Sequence, residues 1–130
     1  MQTQTRAAFA AVLVAGCQAL QSSPQATANA PFPLDAAALS MIQESVQHAG
    51  RNPNLAILES IMATKNEYGL VSVCGYVNAG NAFGGYTGRQ PFNGFFQGTG
   101  QERRFVTASM DTDQAKVNLA ACKRVGITLR

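Results

Sequence analysis

The chain predicts an α+β fold: a small antiparallel sheet of about four strands, packed with an N-terminal and a C-terminal helix. Three observations carry this. Apolar residues recur at spacings of three and four near both ends of the domain, and β-branched residues alternate between them. The connections between the strands are too short for parallel crossovers. Of 130 residues, 46% are apolar and 13% charged, the balance of a folded domain rather than a charged tail. The net charge of +3 is too weak for a nucleic-acid binder, so no nucleic-acid partner is expected. No apolar run reaches the roughly 18 residues of a membrane-spanning helix. Residues 1–16 read as a leader, 17–33 as a tether and 34–130 as a single globular domain.

The first helix should start at Asp35, a good N-cap, and bury Leu39, Ile42, Val46 and Ala49. Gly50 is expected to end it in the left-handed conformation, and Asn52-Pro53 blocks continuation. His48, the one histidine, falls in the last turn, where it reads as a surface residue favoured by the helix dipole. Leu55 to Ala63 reads as a strand with Ile57, Glu59 and Ile61 on one side and Leu58, Ser60 and Met62 on the other. Leu70 to Asn78 is the strongest strand, β-branched at Val71, Val73 and Val77, and should pair antiparallel with it across the turn Thr64–Gly69. Further strands are expected around Gln90–Gln97 and Arg103–Met110. A last helix follows, opened by Asp111 and Gln114 as a capping box and closed by Gly126. Its apolar stripe is Ala115, Leu119, Cys122 and Val125.

Ahead of the domain, Met1 to Arg6 is polar with one positive charge, and Ala7 to Ala15 is an uncharged apolar stretch of signal-peptide length. It runs into Val14-Ala15-Gly16-Cys17, which resembles the lipobox of bacterial lipoproteins. The resemblance implies that Cys17 carries a diacylglyceryl thioether and becomes the acylated N-terminus after cleavage. The partner so implied is the membrane, reached through the lipid anchor. Gln18 rather than Asp after the cysteine suggests an outer-membrane address facing the periplasm. An ordinary cleavage after Ala28-Asn29-Ala30, giving a soluble secreted protein, is one competing reading, and Cys17 as a passive member of a buried helix is the other. Gln18 to Pro33, uncharged and rich in Gln, Ser, Ala and Pro, reads as a spacer of roughly 20–25 Å on random-coil statistics.

With Cys17 assigned to lipid, Cys74 and Cys122 remain. An oxidising compartment favours their pairing, and a helix packed on the central strand would bring them together. Two free buried thiols are the alternative. No C-x-x-C occurs and one distant histidine cannot complete a zinc site, so neither a metal nor a cofactor is expected.

Eight of the twelve glycines fall between Gly75 and Gly100, interleaved with Phe83, Tyr86, Phe92, Phe95 and Phe96. Gly80 and Gly85 have the outer spacing of a phosphate loop, but Tyr86-Thr87 stands where Lys-Ser/Thr is required. Gly98-Thr99-Gly100 lacks the third glycine of a dinucleotide fingerprint. The line Val73-Cys74-Gly75-Tyr76-Val77-Asn78-Ala79, then Asn81, Gly84-Gly85-Tyr86, Gly88 and Pro91-Phe92, resembles a family of small bacterial exported proteins and lipoproteins. Their shared line reads V-C-G-x-V-N-A-K-N-x-x-G-G-Y-x-G-x-x-P-F. Arg51 to Ala56 looks like a degenerate copy of the D-P-D-S-A turn that precedes it there, and Gly80 replaces the usual lysine. The resemblance spans roughly Asn52 to Phe92 and implies no activity. From the residues themselves, Asn78, Asn81, Phe83, Tyr86 and Phe92 are candidate ligand contacts within a loop 78–96. The other reading makes the glycines and asparagines structural.

No nucleophile elbow or paired carboxylate occurs; Asp111 and Asp113 suffice as helix-start residues, and Arg103-Arg104 as a solvated pair. The expectation is a non-catalytic envelope lipoprotein that binds a protein or cell-wall component through this glycine-aromatic segment. The alternatives are an inhibitor or enzyme acting on cell-wall chemistry, or an exclusion lipoprotein of a phage or mobile element.

Overall fold

The computed structural model of the chain describes residues 29–50, 56–80 and 85–130. Cys17, Asn81, Phe83 and the turn 51–55 lie outside them. The elements run β1 (Ala30–Pro31), α1 (Ala36–Ala49), β2 (Ala56–Lys65), β3 (Val71–Gly80), β4 (Tyr86–Gln97), β5 (Arg104–Ser109) and α2 (Ala115–Arg124). The strands form one antiparallel meander in the order β1-β2-β3-β4-β5. The fold is therefore α+β, with four long strands and a two-residue edge strand.

That edge strand revises the tether. Ala30 pairs with Lys65 and Pro31 with Thr64, the Phe32 N–H donates to the Ala63 carbonyl at 2.9 Å, and Phe32 and Leu34 pack against the core. The domain thus begins before residue 34, because an edge strand tolerates the prolines that made this stretch read as spacer.

Helix α1 lies on one face of the sheet. Asp35 caps it, accepting the Ala38 N–H at 2.7 Å. Ala38, Ile42 and Val46 are buried against Val71, Val73 and Val77 of β3, Phe92 and Phe96 of β4, and Phe105 of β5. Leu39 and Ala49, expected on this stripe, are exposed; the helix is turned so that Ala38 takes the inner position. Leu39 lines instead a cleft of about 410 Å³ with Phe32, Leu34, Ile61 and Met62. Gly50 is also not left-handed: at φ −83°, ψ 159° it leaves the helix extended, its N–H still reaching the Val46 and Gln47 carbonyls.

In β2 the expected alternation fails at one point. Register slips between Glu59 and Met62, where Ser60 takes φ 52°. The bulge changes the side-chain parity, so Leu58 and Ile61 both pack on the core.

Helix α2 covers part of the opposite face. A 3-10 turn, Thr112–Gln114, leads into it. Asp111 makes no side-chain cap, so the expected capping box does not form; its backbone carbonyl accepts the Gln114 N–H instead. The closing glycine is as expected. Gly126 is left-handed at φ 81°, its N–H donates to the Lys123 carbonyl, and the Ile127 N–H donates to the Cys122 carbonyl, a Schellman motif. Several contacts tie the helix to the sheet. The Cys74 and Cys122 sulfurs lie at disulfide distance, with Cα atoms 6.1 Å apart. The Thr64 hydroxyl donates to the Val125 carbonyl at 2.6 Å, and Asn118 donates to the Pro91 carbonyl at 3.2 Å.

Candidate binding surface on the β3–β4 hairpin

Two glycines of the distinctive segment have a packing role. Gly75 of β3 stands opposite Phe92 of β4, and a Cβ there would lie 2.7 Å from the Phe92 ring. A Cβ on Gly94 would collide with Phe105 and with the Val106 carbonyl. The missing side chains let aromatic rings lie across the sheet, and Phe96 and Phe105 meet edge to face at 5.3 Å. Phe92, a candidate ligand contact by sequence, is fully buried here and belongs to the core.

Asn78 is likewise engaged within the fold. Its Oδ1 accepts the Gly88 N–H at 3.1 Å, across a register slip where Gly88 adopts φ 93°. That contact fixes the end of the hairpin and supports the structural reading of Asn78. Tyr86, also near this end, is 50% exposed.

Among the described residues, the face that carries α2 keeps exposed side chains toward the same end. Ile57, Asn78 and Arg89 form one row across three strands, with Glu59, Tyr76 and Pro91 in the next. Arg89 is the centre of this surface. Its Nε lies 2.9 Å from the Glu59 carboxylate, and its guanidinium stacks 4.1 Å from the centre of the Tyr76 ring. Its Nη2 also donates to a backbone oxygen of Arg130 at 3.5 Å. Arg89 and Glu59 keep 46% and 44% of their side-chain surface, so the ion pair itself contributes about 0–1 kcal/mol. Its value is positional: cation and ring are held in place before anything binds. Ile57, 46% exposed, adds an apolar neighbour.

Sequence reasoning missed this group, since Glu59, Tyr76 and Arg89 are brought together only by the strand register. It missed Asn118 as well, which is buried on α2 and accepts from Asn93 at 3.0 Å. A polar residue within an apolar helical stripe was the available signal.

The remaining candidates lie elsewhere. His48 is exposed, its Nδ1 2.8 Å from the Glu44 carbonyl, and shares a cleft of about 370 Å³ with Arg103 and Arg104 between α1 and β5. Arg103 stacks on Phe96 and approaches Asp35 at 3.9 Å, while Arg104 donates to Gln97. Among the described residues no three of His, Cys, Asp or Glu gather as a metal site. Comparison of the chain with profiles of protein families, with curated proteins and with solved structures matched none of them.

Proposed function

We propose that this chain is a lipoprotein of the bacterial envelope, anchored at Cys17 in the outer membrane and facing the periplasm, and that its domain is a non-catalytic binding module. The partner is an envelope protein or a cell-wall component. The observation that carries the reading is Arg89, stacked on Tyr76, paired to Glu59 and still half exposed. An ordered arginine-aromatic pair loses little conformational freedom on binding, and these are the residue types that anchor interfaces. With Ile57 and Tyr86 it gives the hairpin end an amphipathic surface suited to a polar partner that also presents apolar area.

The position along the fold agrees with such a role. β3 runs from Val71, which pairs with Lys65 where β2 meets β1, to Gly80, opposite Tyr86. Its ten residues put roughly 30 Å between the end where the domain begins and the hairpin end. The lipobox resemblance and the disulfide-distance cysteine pair both support an exported chain. A non-catalytic role fits the commitment of the Glu59 carboxylate to an arginine.

Capture from detergent-solubilised envelopes tests the reading. The wild-type chain should retain a partner that Tyr86→Ala weakens and Arg89→Glu abolishes. Identical capture by all three would overturn it. Acyl labelling that survives Cys17→Ser would remove the anchor separately.

A further inference from the structure

The end of the domain opposite the hairpin has a composition of its own. Asn29 and Ala30, where the described chain begins, lie there, and the carbonyl oxygen of Asn29 is 3.7 Å from the position a Cβ on Gly126 would take. Gly126 closes α2, so the last turn of that helix, with Lys123 and Arg124, adjoins the point where the chain enters the domain. Thr64 binds the Val125 carbonyl, and the next residue, Lys65, pairs with Ala30. From Lys65 the chain turns through Asn66–Gly69, where the Asn66 Oδ1 accepts the backbone N–H groups of Tyr68 and Leu70. This ordered turn holds Tyr68 87% and Leu70 43% exposed. Lys65, whose Nζ lies 5.8 Å from the centre of the Phe32 ring, and Lys123 and Arg124 in the last turn of α2 therefore share this end with the outward tyrosine and leucine, and the carboxylates there are Glu67 in the turn and Glu102 between β4 and β5.

We infer that this end, Tyr68 and Leu70 with Lys65, Lys123 and Arg124, rests on the membrane and contacts anionic lipid headgroups. The inference rests on anchoring at Cys17, as proposed above. Eleven residues lie between Cys17 and Asn29, twelve steps along the chain, so the chain's entry point stays within about 43 Å of the anchored cysteine whatever path they take. A basic rim suits an anionic surface, and a tyrosine with an apolar body and a polar tip suits the headgroup layer. Docking this end would direct the Arg89 surface away from the membrane, toward the periplasmic partner.

The chain has no tryptophan, so Tyr68→Trp supplies a single reporter. The full chain carrying it is added to vesicles of phosphatidylcholine alone, and of phosphatidylcholine mixed with phosphatidylglycerol. Brominated lipid serves as quencher, and the acylated form is compared with the Cys17→Ser form. The indole emission should shift to the blue and be quenched on the anionic vesicles. Each basic residue contributes about fivefold to the partitioning, so Lys123→Gln with Arg124→Gln should weaken it roughly twenty-fivefold in the Cys17→Ser form. The leader is common to both chains and drops out of that ratio. Flotation of the acylated chain with an unquenched indole would overturn the docking while leaving the anchor intact. Failure of Cys17 to take label, with the indole still quenched on anionic vesicles, would remove the anchor and leave the docking. Equal quenching on neutral and anionic vesicles, or none on either, would also overturn the proposal.

Discussion

Replacing Gly94 by alanine asks whether the glycine-rich strand is built for packing. The new methyl carbon would lie 2.9 Å from Phe105 Cε1, and closer still to Phe105 Cζ and to the Val106 carbonyl oxygen. Ordinary carbon contacts are about 3.5–4.0 Å, so β5 or its ring must retreat by roughly 1 Å. Gly94 is not among the glycines with positive φ, so the backbone accepts alanine and the cost is steric. Overpacking of this kind costs about 1–3 kcal/mol, and one colliding atom here is backbone, which puts the cost in the upper part of that range. Alanine in a strand returns about 0.5–1 kcal/mol relative to glycine. The net expectation is a loss of about 2 kcal/mol, or a fall in Tm of roughly 8–16 °C for a domain of this size. Thermal unfolding of both proteins with the disulfide intact measures it. Gly50→Ala is the control: its φ is ordinary and its nearest neighbour lies at 3.5 Å, so stability should change by about 0.5 kcal/mol or less. If Gly94→Ala is as stable as that control, the packing account of the glycines fails.

Three further outcomes are expected. Reducing the intact chain should add the mass of two hydrogens, and Cys74→Ser with Cys122→Ser should lower stability by about 4 kcal/mol in the chain-entropy model for a separation of 48 residues, read by denaturant unfolding. Asn118→Ala should cost about 1–3 kcal/mol, since it strips the Pro91 carbonyl and the Asn93 amide of their partner while leaving the disulfide in place. Gly126→Ala should cost about 1 kcal/mol by forcing a side chain into φ 81°, measured in the same way.

The features legible in the sequence were those set by local chemistry. Asp35 caps α1 because its carboxylate reaches a first-turn amide, and Gly126 closes α2 because the next turn needs a left-handed residue. The pairing of Cys74 with Cys122 followed from one central strand and one packed helix. What escaped depended on register. The bulge at Ser60 reverses the faces of β2, and no period-two pattern signals it. Phe92 read as a possible ligand contact because its burial depends on Gly75, seventeen positions away, leaving room for the ring. The same dependence hid the Arg89 cluster, whose three members are scattered in sequence and adjacent only across β2, β3 and β4. Prolines concealed β1, which is held by the edge of β2 rather than by any propensity of its own.

The binding role can be read directly in living cells. A photoreactive benzophenone residue replaces Tyr86 at the hairpin end in one chain, and exposed Glu44 on α1 in another. Illumination should give a discrete cross-linked species from position 86, lost when Arg89→Glu is added, and none from position 44. Equal products from the two positions, or a position-86 product indifferent to Arg89, would contradict the account.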